Sequence, residues 1–308
     1  MPGARVSRCW LCGSEESREF LASTLGKELT STDLKISDAH YGRTPRLVEC
    51  RRCGFRYADP LPAPDLVELY SKLVDEDYRE GSEGRIRPFR AILRRAVSIF
   101  PEARTVLDIG AGIGLLCLAA RELGLQATGV EPSQWAAEVA RGQNQVEVLK
   151  GIFPHPDLEG RRFDVVTLID VIEHVGDPTR LLSEVSKALV PGGVAVITTP
   201  DAASLAARVL GRRWWHYRVA HICFFDRKTM ELALHQAGLN LHRKERYRWV
   251  FSVGYLAERL ERYLPVGLLR RVLERSRLGR RLSRLMVPVN LRDSWTFYAR
   301  KPVGGAAS

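Results

Sequence analysis

The chain has 308 residues, 45% of them hydrophobic and 27% charged, which excludes a disordered chain and is enough for one substantial α/β domain plus a smaller appendage. No apolar run approaches the roughly eighteen residues of a spanning helix, and Arg5 and Arg8 have no apolar segment behind them. Neither integral membrane association nor a secretory leader is expected, and a cytoplasmic location is the default.

The net charge is +11, a sign that suits nucleic acid, an anionic surface or an acidic substrate. Arginine is concentrated between Arg243 and Arg284, so the charge has a local origin. A solvated arginine-rich face accounts for it as well as a polyanion site does.

In chain order, the first signal is a pair of cysteine knuckles, Cys9-Trp10-Leu11-Cys12 and Cys50-Arg51-Arg52-Cys53, each followed by glycine, Gly13 and Gly54. Four thiolates so spaced can converge tetrahedrally on one structural zinc ion, with a β-rich insertion between the knuckles. Two disulfides or four free thiols are the alternatives. Complete occupation by cysteine leaves no open position for catalytic zinc. Cys117 and Cys223 read as core fillers.

Residues 58–64, ADPLPAP, make a stiff extended connection that ends this module. A helix is expected from Asp65, with Leu66, Leu69, Tyr70 and Leu73 on its apolar face, and a second over 88–100. Together they cover the mouth of the next domain, where Tyr70 and Tyr78 are placed to close over a ligand or simply to pack.

The segment TVLDIGAGIG, 105–114, reads as a short buried strand, a tight glycine turn and the start of a helix over 115–123. That is the arrangement of a nucleotide-type cofactor site at the carboxyl edge of a parallel sheet. A second strand ends in Glu131, about twenty residues on, where a carboxylate accepts hydrogen bonds from two ribose hydroxyls. Pro132 and Ser133 lead into the next helix. A third strand is expected near 146–148, and the loop 151–160 brings Ile152 or Phe153 to the cofactor base. FDVVTLI, 163–169, is apolar throughout and suits a strand buried on both faces. Asp170, Val171, Ile172, Glu173 and His174 emerge at its carboxyl end. A capped helix follows Asp177-Pro178, LVPGG ends it, and 194–198 supplies a fifth strand. The alternation supports an open α/β sheet.

Taken together, LDIGAGIG, Glu131, FDVVTLIDVIEH and LVPGG stand in the order found in class I S-adenosylmethionine-dependent methyltransferases. The chain resembles the small-molecule branch of that family from about Tyr70 to Lys301. The paired cysteines followed by FRYADPLPAP and LY extend the resemblance to bacterial methyltransferases with an N-terminal zinc-binding module, some of which methylate sugars or specialised metabolites. The resemblance implies an open Rossmann-like class I sheet with helical lid insertions, S-adenosylmethionine as cofactor and structural Zn2+. It assigns Asp108, Gly110 and Gly112 to the methionine end, Glu131 to the ribose and Asp170 to the methionine-facing wall. Ala111, Pro132, Ile152, Phe153 and Val171 complete the expected cofactor contacts. Many relatives have cysteine where this chain has Ala111, and a small residue still fits.

Methyl transfer from a sulfonium is an in-line substitution that needs alignment and, for a hydroxyl acceptor, help with deprotonation. His174 is the first candidate base and His221 the second, with Tyr217 placed to orient an acceptor hydroxyl; the alternative is that these groups pack and satisfy loop carbonyls. They belong to an aromatic region, WWHY at 214–217 and HICFF at 221–225, expected to cover the acceptor pocket. Two amphipathic helices in a 254–288 insertion form a lid, dimer surface or peripheral membrane contact, a lid or internal packing being preferred. Residues 295–299 read as the final antiparallel edge strand. The domains expected are a zinc-binding module, 1–60, a helical linker and cover, 61–100, and a methyltransferase domain, 101–308. The partner is a small-molecule acceptor, with oxygen on a sugar or specialised metabolite preferred and carbon or nitrogen methylation as alternatives. RNA methylation and a non-enzymatic zinc-containing binding protein are the alternatives, and a homodimer is open.

Overall fold

A computed structural model of the chain describes residues 8–26, 29–35, 42–63, 66–76, 82–260 and 277–304. Tyr78, Asp65 and the 261–276 part of the insertion lie outside the described residues.

The chain opens with three short antiparallel strands, β1 (Ser17–Leu21), β2 (Leu47–Cys50) and β3 (Arg56–Ala58). Helix α1 (Leu66–Ser71) and the longer α2 (Ser82–Ile99) follow. The second helix begins before the expected 88 and carries Pro88 inside its span. The α/β core then alternates through β4 (Thr105–Ile109), α3 (Leu115–Glu122), β5 (Gln126–Glu131), α4 (Gln134–Gly142), β6 (Glu147–Lys150), β7 (Phe163–Ile169), α5 (Pro178–Ala188) and β8 (Leu189–Pro200). Beyond it come α6 (Leu205–Leu210), β9 (Cys223–Phe224), α7 (Arg227–Gln236), β10 (Asn240–Arg246), β11 (Trp249–Ser252), α8 (Val253–Leu260), α9 (Arg277–Ser283), β12 (Met286–Val289) and β13 (Ser294–Arg300).

Seven strands form one sheet in the order β10-β13-β8-β7-β4-β5-β6. The β6-β5-β4-β7-β8 part is parallel; β13 runs antiparallel to it, and β10, antiparallel to β13, returns to the direction of the parallel strands. Both faces are covered. Leu107, Val166, Leu168 and Ile197 face one buried cluster, and Val106, Val165, Val194 and Val196 the other. That is why FDVVTLI reads as a continuous apolar run. Strand order reverses between β4 and β7, so a crevice opens beyond their carboxyl ends, where doubly wound sheets bind ligands.

Two sequence expectations are corrected. LVPGG does not merely end a helix: α5 stops at Ala188, and Leu189 already pairs with Phe163, so β8 absorbs the whole motif after a register shift. Strand β13 is not the sheet edge. It lies between β8 and β10, and the edge is β10, where His242 is exposed.

The N-terminal sheet has the order β1-β2-β3-β9. Its fourth strand comes from the aromatic segment late in the chain: Arg56 pairs with Phe224 and Tyr57 with Cys223. Phe55 packs on Phe225 with ring centroids 4.8 Å apart, so knuckle and core share one apolar cluster. Among the described residues, no helix is long and apolar enough to cross a membrane.

Candidate active site

The glycine turn is shaped by backbone demands. Gly110 and Gly112 adopt φ of 72° and 53°, in the left-handed region that favours glycine. The amides of Gly110 and Ala111 donate to the Val130 carbonyl at 2.8 and 3.1 Å, tying the turn to the end of β5. A Cβ on Gly110 would stand 2.5 Å from Cγ2 of Val171, so the turn is packed against the segment that leaves β7.

Glu131 closes this arrangement. One carboxylate oxygen accepts from the Gly112 amide at 2.8 Å and the other from the Ser133 amide at 2.8 Å. Burial raises its pKa, and the Ser133 and Gly112 amides oppose that shift. Ser133 in turn caps α4 by accepting from the Ala136 amide, and its hydroxyl donates to the Leu73 carbonyl.

Asp108 is 3% exposed and accepts from the Thr167 hydroxyl at 2.6 Å, across the β4–β7 pair. Burial pushes its carboxyl up to about 7, opposed by the Thr167 hydrogen bond and reinforced by Glu131. Asp170 is forced to φ 54° where β7 ends. Burial raises its pKa to about 7, Arg85 opposes the shift and Asp293 adds to it.

A cavity of about 600 Å³ runs from this turn to the far side of β7. At one end its wall includes Gly110, Gly112, Glu131, Pro132, Ile152 and Phe153. At the other it includes Tyr70, Asp170, Glu173, His174, His216 and His221. Val171 lies between the two groups. Asp108 and Ala111 sit behind the turn; Ala111 is buried with Cys117, Ala137 and Val148.

Glu173 and His174 occupy a 3-10 turn, Ile172–His174, after β7. His221 reaches them because β9 docks on β3 and because the Ile222 amide donates to the Glu173 carbonyl at 2.9 Å. The His174 and His221 rings meet edge to face at 4.8 Å. His174 Nδ1 lies 2.8 Å from both the Ala220 carbonyl and the Tyr70 hydroxyl. Burial drives His174 down to about 4, against the Ala220 hydrogen bond, and drives His221 well below the usual histidine range. Glu173, 1% exposed, accepts from the Thr199 hydroxyl at 3.0 Å, and burial drives its pKa well up.

Tyr217 is brought elsewhere. It is 2% exposed and packs its ring against Trp214 and Phe224 at centroid distances of 5.0 and 5.1 Å, away from the cavity wall. Its position in an aromatic run gave no way to separate wall from core. Arg85, His216, Tyr247 and Trp249 line the cavity without having been singled out for it. Tyr247 and Trp249 stand at the base of the 254–288 insertion, and only the fold carries them there.

In the knuckles, Gly13 and Gly54 take φ of 71° and 80°, and their amides donate to the Cys9 and Cys50 carbonyls at 2.9 Å. The two turns are therefore near copies of each other. They bring Cys9 and Cys53 sulfurs to 3.6 Å and Cys12 and Cys50 sulfurs to 3.6 Å, with all four within 4.8 Å. All four cysteines are free of disulfides. Tetrahedral ligands at about 2.3 Å from zinc stand roughly 3.8 Å apart, so the cluster fits a metal ion.

Sheet order, the glycine turn and the carboxylate at the end of β5 are those of the class I methyltransferase architecture. Residues 81–244 match the model of the methyltransferase domain, and the chain belongs to that family. It is 34% identical over 123 residues to a ubiquinone biosynthesis O-methyltransferase of Serratia proteamaculans, covering 37% of this chain and 50% of that protein. A ubiquinone biosynthesis O-methyltransferase of Idiomarina loihiensis is 37% identical over 149 residues, covering 46% of this chain and 60% of that one. The chain thus spans about half the length of the curated relatives it matches. Among solved structures, a methyltransferase of Archaeoglobus fulgidus aligns with a TM-score of 0.48 at 19% identity, covering 74% of this chain and 100% of that one. That likeness is too distant to bear on the acceptor.

Proposed function

We propose that this chain transfers the methyl group of S-adenosylmethionine to a small-molecule acceptor, through an oxygen on a sugar or specialised metabolite. The observation that carries the reading is the single cavity that joins the glycine turn and Glu131 to the polar wall of Glu173, His174 and His221. The O-methyltransferase relatives support an oxygen acceptor.

In this reading Glu131 receives the ribose hydroxyls, and Ile152 and Phe153 flank the adenine. Asp108 acts through the turn of Gly110 and Gly112 on the methionine end, and Asp170 lies beside it. The acceptor oxygen attacks the methyl carbon while the carbon–sulfur bond breaks, so the sulfonium becomes a neutral thioether and the acceptor proton is lost. Holding both reactants in line is the main contribution of such a site. His174 is the first candidate to take the proton and His221 the second, on position; burial keeps both rings neutral, with a free lone pair each, while lowering their basicity. The four cysteines hold structural zinc, which ties the knuckles to the sheet they share with β9.

The test is to incubate purified protein with methyl-labelled S-adenosylmethionine and an extract, then separate small molecules, protein and RNA. Label is expected in the small-molecule fraction. Label confined to RNA would overturn the acceptor class, and failure to bind the cofactor would overturn the enzymatic reading.

A further inference from the structure

The acceptor end of the cavity holds two buried polar atoms that have no hydrogen-bond partner among the described residues: Oε1 of Glu173 and Nδ1 of His221. Their residues are 1% and 6% exposed. Such atoms are costly to bury unpaired. They are also close together. One ligand atom each from Glu173, His174 and His221 lies within 4.8 Å of the other two.

Neighbouring groups hold two of these side chains in place. The second oxygen of Glu173 is held by the Thr199 hydroxyl. His174 Nδ1 lies 2.8 Å from the Ala220 carbonyl. A carbonyl only accepts, so Nδ1 carries the hydrogen and the lone pair of the neutral ring is on Nε2. His221 Nδ1 is buried without a partner. The His174 ring is oriented as metal-binding imidazoles commonly are, with one nitrogen donating to a backbone carbonyl. The triad is also built on backbone: Glu173 and His174 share a 3-10 turn, and the Ile222 amide next to His221 bonds the Glu173 carbonyl at 2.9 Å.

We propose that Glu173, His174 and His221 bind one divalent first-row transition cation, separate from the cysteine cluster, with its remaining coordination positions open to the acceptor end of the cavity. Two imidazoles and one carboxylate favour manganese, iron, cobalt or zinc over calcium and over soft monovalent copper. Bonds of about 2.0–2.2 Å require the three ligand atoms, now within 4.8 Å of one another, to draw in toward a common centre. The cation's role, which rests on the methyltransferase reading, is to take the acceptor hydroxyl as a further ligand, orient it and make it more acidic. In that role His174 and His221 are ligands, and the acceptor proton leaves to solvent.

The experiment titrates Mn2+ into full-length protein whose cysteine cluster is already zinc-loaded, followed by electron paramagnetic resonance. One Mn2+ per chain beyond the zinc is expected, with pulsed spectra showing directly bound imidazole nitrogen. Glu173→Gln and His221→Gln should each weaken Mn2+ at least about tenfold while retaining affinity for S-adenosylhomocysteine. No Mn2+ binding by the wild-type protein, bound Mn2+ without nitrogen coupling, or unchanged binding in both variants would overturn the site. If the wild-type protein bound S-adenosylhomocysteine but no Mn2+, the methyltransferase reading would survive alone. Mn2+ bound with nitrogen coupling in a protein that ignored S-adenosylhomocysteine would uphold the cation site and sink that reading.

Discussion

Glu131 shows how one carboxylate can serve structure and binding together. Its two oxygens already accept the Gly112 and Ser133 amides, and their remaining lone pairs are what a ribose diol would use. Glu131→Ala should therefore lower stability by about 2–4 kcal/mol, through two orphaned amides. It should also weaken S-adenosylhomocysteine by about a hundredfold, both effects measurable by denaturant titration and calorimetry. Asp108 makes a different prediction. Burial raises it from 3.8 to about 7, so the folded, unliganded chain keeps a proton that the unfolded chain releases. The stability associated with that proton is present below pH 4 and is lost as pH rises through 7. Asp108→Asn should thus be more stable than wild type at pH 8, by roughly 4 kcal/mol at most, and indistinguishable from it near pH 4. In the wild type, affinity for the cationic cofactor should rise through pH 7 as the carboxyl ionises. In Asp108→Asn it should be weaker and flatter with pH; an unchanged slope would remove Asp108 from the methionine end.

At the scale of elements, the glycine turn and the end of β7 are one unit. Gly110 needs a positive φ, and a side chain there would strike Val171. Gly110→Ala should cost about 1–3 kcal/mol of stability from strain and displace the turn, lowering cofactor affinity more than folding. Removing the clash with Val171→Ala in the same chain should recover only part of the loss, because the backbone strain remains. The existence of β4, β5 and β7 and the place of their terminal carboxylates were legible from apolar runs and the glycine spacing. The ends of β8 and the interior position of β13 were not. LVPGG combines Pro with two glycines, the usual marks of a turn, but pairing with Phe163 overrides that local preference. Whether a strand is an edge depends on its neighbours, which no local pattern states.

Across the whole molecule, the knuckles and the wall of Glu173, His174 and His221 are mechanically joined. The chain of contacts runs from the Cys50–Cys53 turn through β3 to β9, and from there to His221 and Glu173. If the cysteine cluster holds the proposed zinc, removing it by a strong chelator, or introducing Cys50→Ser, should therefore do more than loosen the N-terminus. Chelation should release one zinc per chain and lower the melting temperature by several degrees, roughly 2–4 °C for each kcal/mol lost. It should also depress turnover while cofactor affinity, held by the β4–β5 end, changes much less. Metal analysis and differential scanning calorimetry check the first part, and kinetics with calorimetry the second. A chelated protein with full turnover would show the knuckles to be mechanically independent.

The amino-acid sequence by itself determined a glycine turn after a buried strand, a carboxylate one strand later, and two cysteine knuckles of matched form. Those features are local, set by φ, spacing and apolar runs, so neighbouring residues carry them. The wall of Glu173, His174 and His221 was decided by tertiary structure. His174 and His221 were visible as candidates, but their meeting with Glu173 depends on β9 crossing to the N-terminal sheet. Tyr217, from the same aromatic run, was turned into the core by that crossing. A local pattern records which way the backbone can turn; only the packed fold records which distant side chains lose water together. The glycine turn therefore speaks for itself, whereas the histidine and glutamate wall acquires its chemistry from the company it keeps.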